Sequence, residues 1–564
     1  MKKMHKYIGV CLLALSMSAC QNYLDRPVVS DVDEERVFTD YKLTYQFVND
    51  LYSYRIDEYR GANTNGAVGT SSFLGAGMLA SATDDSKYSE LSSPINFLNS
   101  GNWTPSYNPA NIWSDMYSAV RKANLFFENV DRMVLESYDE PIRDNSELDA
   151  NGNLITAGQL KTRLTGEVYF LRAYYYYELI KRYGGVPIID QTYELGEEVN
   201  STRASFEACV NFILDDLESA RPLLPVNYNY YAANKGRATQ PMVDAFKAQV
   251  LMLAASPLHN TSNDLDKWQA AADAYKEVIE SGAYSLNNNY DRAFVRNQGS
   301  PESIFEIIYY NRSDVERNNT PVGYEGGGGG INPTQDLVEA YEMADGTAFD
   351  WNNPAHAAAP FDNRDPRFYL SILYNGADWR GRPVESYVGG LDGEGVNGAT
   401  LTGYYMRKFM DPELDILRDQ TSTKNWVILR YAEILLGYAE AQNEAVGPDA
   451  SVYEAINEVR DRAGMPALPE GLSQDEMRAK IRHERRIEFA FEGQRFFDTR
   501  RWKTAEDEFN GPVHGLRITQ SGDDFEYDVI EVEDRIFTEK MYLFPIPQSE
   551  INNTNGNLQQ NPMW

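Results

Sequence analysis

Cysteine is scarce in this chain. Three cysteines, at positions 11, 20 and 209, stand among 564 residues. So few cysteines exclude a disulfide-stapled scaffold, and no Cys-x-x-Cys pair is present to hold a structural metal ion. A chain of this length can bury a core large enough to fold without such cross-links. Cys209 lies in the helical pattern SFEACVNFIL and is predicted to be a small buried packing residue.

Histidine and the common catalytic motifs are also scarce. The 5 histidines are scattered, and the chain contains no His-Glu-x-x-His zinc motif, no Gly-x-Ser-x-Gly nucleophile turn and no phosphate-binding Walker loop. A glycoside hydrolase needs only two well-placed carboxylates, and 84 acidic residues leave that class open. We predict a protein that is not an enzyme and holds no cofactor or metal, with a surface glycoside hydrolase as the least favoured alternative.

Positive charge is in deficit. The chain has 52 lysines and arginines against 84 aspartates and glutamates, for a formal net charge of −32. Nucleic acids are bound by basic residues that neutralise phosphates, so this balance argues against a nucleic-acid partner. It also mildly favours a neutral ligand over an anionic one.

Long apolar runs are absent, and the one short run lies at the N-terminus. Three lysines precede an apolar segment from Ile8 to Leu15, which is too short for a bilayer that needs about 20 residues. This pattern predicts a secretory signal peptide over residues 1–19. The stretch MSAC, which ends at Cys20, resembles a bacterial lipobox and predicts that Cys20 carries lipid as the first mature residue. The alternative is a secreted protein with a cysteine there by chance.

Helical periodicity is what the chain has in abundance. Leu164, Val168, Leu171 and Tyr175 build one apolar face of a helix that should end at Gly184-Gly185, and a second helix follows over about 205–220. Two further helix pairs are predicted within residues 239–282 and 425–465, with small residues at the contacts: Ala432, Gly437, Ala439 and Ala455. These pairs predict a mainly α fold with tetratricopeptide-like helix pairs.

Two segments interrupt the helical pattern, at about 59–109 and 286–424. They are rich in Gly, Ser, Asn and Tyr, and the second contains the pentaglycine of EGGGGG, which is predicted to be a mobile loop because it leads into INPT and not into a helix with a lysine. The runs SIFEIIYY and RFYLSILYNG could form short strands. Binding residues often lie on such insertions while a rigid scaffold supports them.

The best binding candidates lie in NSGNWTPSYNPANIW. Trp103 and Tyr107 occur in a loop where no helix requires them as core, so their rings could stack on a sugar face while Asn102 bonds hydroxyl groups. The alternative is that they fix the loop to the body. Tyr324, beside the pentaglycine, and Trp379 are further candidates from the second insertion.

Two charged motifs could serve the structure of the protein and not ligand binding or catalysis. The segment KIRHERRIEFAFEGQRFFDTRRW interleaves acids with Arg485, Arg495 and Arg501, and we predict that these arginines clamp carboxylates of neighbouring segments. Asp84 and Asp85 are adjacent acids, which are more often a solvated turn or a cap than a catalytic pair.

Several segments together resemble the SusD/RagB family of outer-membrane nutrient-binding lipoproteins. They span nearly the whole chain: CQNYLD, IWSDMYSAVRKANLFFENV, GEVYFLRAYYYYELIKRYGGVPII, RDPRFYLSILYNG, ILRYAEILLGYAEAQNE, ERRIEFAFEGQRFFDTRRW and LFPIPQSEINNTNGNLQQNP. The resemblance implies four tetratricopeptide-like units with a ligand-binding insertion, and no catalysis. It places Asn102, Trp103 and Tyr324 at the ligand, with Asp84 and Asp85 on the same face.

The resemblance also implies a function and a location. It predicts a lipid-anchored protein at the cell surface, with residues 20–564 as one domain, that lies as a lid on a SusC-like TonB-dependent outer-membrane transporter. Such a lid would capture oligosaccharides and deliver them to the transporter. A peptide-capturing lid of the same architecture is the alternative.

Overall fold

The computed structural model describes residues 34–59, 78–133, 149, 151–193, 202–228, 234–308, 312–418 and 420–564. The predicted signal peptide and Cys20 lie outside the described residues. Within them, buried apolar side chains form one cluster that extends from Phe38 to Leu558. No helix in these ranges combines the length and the apolar character that crossing a membrane requires.

Helices dominate the described residues, which confirms the predicted mainly α fold. In chain order they are α1 (Glu34–Thr39), α2 (Tyr41–Tyr52), α3 (Asn96–Asn99), α4 (Trp113–Asn129), α5 (Ala157–Tyr183), α6 (Phe206–Ala220), α7 (Gln240–Ala255), α8 (Leu265–Ser281), α9 (Asp314–Asn319), α10 (Gln335–Ala340), α11 (Pro354–Ala358), α12 (Pro366–Ser371), α13 (Tyr431–Val446), α14 (Ala450–Ala463), α15 (Gln474–Glu488), α16 (Gln494–Arg501), α17 (Ala505–Glu508) and α18 (Gln548–Asn553).

The strands are short, apart from one hairpin, and pair antiparallel in twos. They are β1 (Ser86–Tyr88), β2 (Ser303–Ile307), β3 (Ile331–Pro333), β4 (Ile372–Leu373), β5 (Asp378–Trp379), β6 (Arg382–Pro383), β7 (Tyr405–Met406), β8 (Trp426–Arg430), β9 (Gly511–Ser521) and β10 (Asp524–Arg535). The pairs are β1 with β3, β2 with β8, β4 with β7, β5 with β6, and β9 with β10. SIFEIIYY thus supplies a strand as predicted, whereas the first half of RFYLSILYNG is helix and only the next two residues form strand β4.

Consecutive helices pack as the predicted pairs. Helix α5 packs on α6, α7 on α8, and α13 on α14, while α8 also packs on α13 and so joins successive pairs. Gly437 of α13 lies directly against the ring of Tyr275, where a Cβ would come within 2.4 Å of Tyr275 Cζ. The small residue therefore sets the close approach of α8 and α13, as the sequence predicted.

The ends of the long helices follow local chemistry. At the start of α5, Thr156 and Gln159 form a reciprocal capping box, with hydrogen bonds of 2.8 and 3.1 Å. The same helix ends at Gly184, where φ is +70°, a conformation that favours glycine. Cys209 is buried in α6, as predicted.

The pentaglycine segment is packed tightly, so the prediction of a mobile loop is wrong. Backbone hydrogen bonds tie Gly329 N to Thr320 O (3.0 Å) and Gly330 N to Asn318 O (2.7 Å). At Gly329, φ is +68° and a Cβ would lie 2.6 Å from the carbonyl oxygen of Gly398. The glycines are needed because backbone approaches backbone here, and the segment leads directly into β3, which pairs with β1 of the first insertion.

The charged segment of α15 and α16 is a buried ion-pair network, as predicted. Arg485 bonds to Glu433 (2.9 Å) and Asp498 (2.9 Å), and Arg501 bonds to Glu440. Burial alone would raise the pKa of Glu440, but the arginines around it, Arg501 first, hold that pKa at about 2. These arginines join α13, α15 and α16, so they serve the scaffold and are not available to a ligand.

Candidate functional site

An exposed apolar surface lies on the first insertion. Phe97, on α3, and Tyr107 are 41% and 46% exposed, and their rings meet edge to face with centroids 5.2 Å apart. Ile536, just after β10, is 50% exposed, and its backbone N–H donates to Asn99 O (2.9 Å). We call Phe97, Asn102, Tyr107 and Ile536 the aromatic platform.

Local turns hold the platform in place. Tyr107 and Thr104 exchange two backbone hydrogen bonds (2.8 and 3.0 Å), so Pro105 and Ser106 form the tip of a tight turn that presents the Tyr107 ring. Asn102 is exposed: its backbone N–H donates to Phe97 O (3.2 Å), and its amide Nδ2 donates to Ser100 Oγ (3.0 Å). These two hydrogen bonds fix Asn102 within the short loop that joins Phe97 to Tyr107.

Trp103 is not part of this surface, so the expectation that its ring faces solvent is wrong. It is 1% exposed and packs against Phe544 (centroids 5.2 Å apart) and Trp564 (4.8 Å). Trp564 is held in turn by hydrogen bonds from its Nε1 to the carbonyls of Lys540 (2.8 Å) and Leu543 (3.0 Å). The alternative, in which the ring fixes the loop to the body, is the one the structure has, because the C-terminal segment covers it.

Asp84 and Asp85 also serve the scaffold and do not line an open face. Arg495 binds both carboxylate oxygens of Asp84 (2.9 and 2.8 Å), and Arg486 reaches Asp85 (2.8 Å), which is buried. Burial alone would raise the pKa of Asp84, but Arg486 and Arg495 hold it at about 2; burial raises the pKa of Asp85. The pair clamps the first insertion onto α15 and α16.

Tyr324 is half-buried beside the pentaglycine. The Arg382 guanidinium lies 3.7 Å from its ring centroid, and the Tyr324 hydroxyl donates to Arg382 O (3.0 Å). Arg382 binds the buried Asp392 with both terminal nitrogens (2.7 and 2.9 Å), and Asp392 also accepts from Gly323 N (3.0 Å). Burial raises the pKa of Tyr324. The ring is fixed by a polar cluster, with one face already covered by a cation.

Trp379, the second candidate from this insertion, is buried. It is 2% exposed in β5, and the guanidinium of Arg380 lies 5.3 Å from its ring. The protein covers its ring, as it covers that of Trp103, and contact between Trp379 and a ligand stays a prediction. Of the predicted aromatic residues, Tyr107 is exposed, Tyr324 is half-buried, and the two tryptophans are core.

Phe97 and Ile536 belong to the platform, and sequence reasoning missed both. Phe97 lies in the first insertion, six residues before Trp103, so its position in the sequence could have made it a candidate. Ile536 is far along the chain, and only the pairing of its backbone with Asn99 brings it to the platform. No local pattern could have predicted that contact.

The platform consists of uncharged side chains. Its members are two rings, one amide and one aliphatic side chain, with no carboxylate, imidazole, amine or thiol among them. Across the described ranges, no group of three or more His, Cys, Asp or Glu is arranged to hold a metal ion. Apolar rings beside an amide suit a ligand with C–H faces and hydroxyl groups.

Two family models match the chain. The model described as the SusD family matches residues 276–564, and one described as "Starch-binding associating with outer membrane" matches residues 23–252. Among curated proteins, SusD-like protein P38 of Formosa agariphila is 26% identical over 429 residues, which cover 72% of this chain and 74% of that protein.

Solved structures share the fold. A SusD-like protein from Bacteroides fragilis is 29% identical, with a TM-score of 0.78 over 96% of this chain and 100% of that chain. A SusD-like carbohydrate-binding protein from the same species is 26% identical, with a TM-score of 0.72 over 92% and 99%. A laminarin-binding SusD-like protein has a TM-score of 0.63 at 22% identity, over 93% of this chain and 99% of that chain.

Proposed function

Because this chain belongs to the SusD family, we propose that it captures oligosaccharides at the cell surface and passes them to a partner outer-membrane transporter of the SusC type, without cleaving them. One of the two matching family models is described as starch-binding and as associating with the outer membrane, and two similar structures are of proteins described as carbohydrate-binding and laminarin-binding. On this chain, the observation that carries the proposal is the exposed ring pair of Phe97 and Tyr107.

The platform favours a neutral glycan. Pyranose rings present apolar C–H faces that pack on aromatic rings, and their hydroxyl groups can bond to an amide such as that of Asn102. No charged side chain belongs to the platform, and the protein's formal net charge of −32 repels polyanions. A few such contacts give modest affinity, which suits a protein that must release its ligand to a transporter.

Replacing Tyr107 with alanine should weaken glycan binding by about tenfold, since it removes one stacking ring and opens the ring pair. The measurement is isothermal titration calorimetry with a panel of neutral oligosaccharides, including maltohexaose and laminarihexaose, together with mixed-sequence peptides. Leu265→Ala is the matched control, because Leu265 is 49% exposed on α8, away from the first insertion. Unchanged affinity in the Tyr107 variant would refute the platform, and binding confined to peptides would favour the peptide-capturing alternative.

Replacing Cys20 with alanine should release the protein from the membrane fraction. Two or more acyl chains anchor stably because each buried methylene contributes about 0.8 kcal/mol, and removal of the sulfur removes the attachment point. The measurement is fractionation of cells followed by immunoblotting, with ligand binding of the purified variant as the control for folding. A Cys20 variant that stays in the outer-membrane fraction would contradict the lipid anchor.

A further inference from the structure

A second candidate site lies between the second insertion and the β9–β10 hairpin. A cavity of about 310 Å³ opens between the loop 386–403 and the β9–β10 hairpin. Two hydrogen bonds attach the loop to β9, from Val388 N to Ile518 O (2.8 Å) and from Leu516 N to Thr402 O (2.8 Å). The volume is at the lower end of the range for small-molecule sites, about 300–1,000 Å³. It therefore has room for one small ring.

The lining of the cavity includes a buried hydroxyl that has no hydrogen-bond partner in the part of the chain that the structure describes. Ser386 is 5% exposed and lines the cavity, and its Oγ has no hydrogen-bond partner among the described residues. Its backbone N–H is satisfied by Asn375 Oδ1 (3.1 Å). By contrast, the hydroxyl of Thr400, also in the lining, donates to Tyr404 O (2.7 Å). A buried hydroxyl without a partner is unfavourable. The Oγ atom has almost no exposed surface, so the Ser386 side chain must turn toward the cavity before a ligand can bond to it and remove that penalty.

The remaining lining combines apolar walls with one exposed ion pair. Leu401, Leu516 and Ile530 are among the apolar residues. Arg517 and Glu394, which also line the cavity, are joined by a 2.9 Å contact, and their side chains are 48% and 56% exposed. The guanidinium offers donors and the carboxylate offers acceptors at short spacing.

We propose that this cavity binds a single neutral pyranose unit. A pyranose can set its C–H groups against the apolar walls, and its hydroxyl groups can both donate and accept with Ser386, Glu394 and Arg517. An apolar side chain from a partner would leave the Ser386 hydroxyl unpaired. An anionic ligand would meet Glu394 and the acidic residues of β10, among them Asp528, which lies opposite Arg517 in the hairpin register.

The loop that lines the cavity also supports Tyr324. Asp392, within the loop 386–403, is the buried carboxylate that binds Arg382 and the Gly323 N–H beside Tyr324. The loop 386–403 thus both lines the cavity and, through Asp392, fixes the residues around the Tyr324 ring. The ligand class in this proposal rests on the proposed function, whereas the site and its residues do not overlap with the platform.

The test uses monosaccharide probes. A cavity that holds one ring should bind a monosaccharide, whereas binding of an oligosaccharide to the platform does not require monosaccharide binding. Saturation-transfer NMR with the mature full-length chain would measure the affinities of methyl α- and β-D-glucopyranoside, methyl β-D-galactopyranoside and methyl α-D-mannopyranoside. At least one should bind. Ser386→Ala and Arg517→Met should each weaken it about tenfold through loss of a hydrogen bond.

Two controls separate the sites. Ser422→Ala removes another buried hydroxyl without a partner, away from the cavity, and should leave the affinity unchanged. Tyr107→Ala should weaken oligosaccharide binding and spare the methyl glycosides. The proposal is overturned if no methyl glycoside binds, or if both cavity variants bind like the unmodified protein. If no methyl glycoside binds but oligosaccharides still bind through Tyr107, the proposed function is kept and the cavity site is rejected. If methyl glycosides bind at the cavity and Tyr107→Ala does not change oligosaccharide binding, the cavity site is kept and the platform is rejected.

Discussion

Replacing Trp103 with alanine is expected to lower the free energy of unfolding by about 3–5 kcal/mol, the usual cost of deleting a buried large aromatic side chain. The ring is 1% exposed and lies between Phe544 and Trp564, so its removal leaves a cavity between the first insertion and the C-terminal segment. Denaturation by guanidinium chloride, monitored by far-ultraviolet circular dichroism, measures the change in the free energy of unfolding.

The structure supplies three variants for comparison with this result. Trp103→Phe should cost less, because it keeps a ring and removes an indole N–H that has no partner within the described residues. Trp564→Ala should reproduce part of the loss, since Trp564 covers Trp103. Tyr107→Ala, four residues away and 46% exposed, should reduce glycan binding while leaving stability nearly unchanged. A Trp103→Ala variant that is as stable as the unmodified protein but no longer binds glycan would restore Trp103 to the site.

The fold was predictable where the signal is local or periodic. The apolar face of Leu164, Val168 and Leu171 predicted α5, and Gly184-Gly185 predicted where that helix ends, because the end of a helix depends on neighbouring residues. The arginine clamps were predictable for a related reason: so many opposite charges in one helical segment can be buried only in pairs.

The site was less predictable because exposure of a loop residue is decided by distant segments. Trp103 and Tyr107 stand in the same loop with similar local sequence, yet the C-terminal Trp564 covers the first and leaves the second open. Ile536 reaches the platform only through a backbone contact with Asn99. The pentaglycine suggested mobility, whereas its packing depends on the carbonyl of Gly398, which no local pattern reveals.

Replacing Glu488 with glutamine is expected to lower the free energy of unfolding by about 3–5 kcal/mol, because one partner of a buried charge cluster is removed while the cations remain. Glu488 is fully buried at the end of α15. It bonds to Arg430 (2.6 Å), Arg367 (3.0 Å) and Arg462, and Arg430 and Arg462 also bond to Glu302. Glutamine has nearly the same shape, so the loss reports charge and not volume.

The pH dependence identifies the cause of that loss. Burial alone would raise the pKa of the Glu488 carboxyl, but Arg462, Arg430 and Arg367 hold it far below its usual value of 4.5. A carboxyl with a lowered folded-state pKa contributes stability that is fully present above the unfolded pKa and is lost as the pH falls. The stability difference between the unmodified protein and Glu488→Gln should therefore be largest near neutral pH and shrink below about pH 4.5.

A surface pair gives the matched control for this charge effect. Glu280 lies 3.8 Å from Lys276 on α8, with side chains 67% and 57% exposed, so Glu280→Gln should change stability by no more than about 1 kcal/mol. Urea denaturation of both variants between pH 3 and pH 8 makes the comparison. If the two glutamine variants lose similar stability, or if the loss in Glu488→Gln does not depend on pH, then the cluster does not stabilise the scaffold through charge. The arginines of β8, α14 and α12 would in that case act through packing and hydrogen bonds alone.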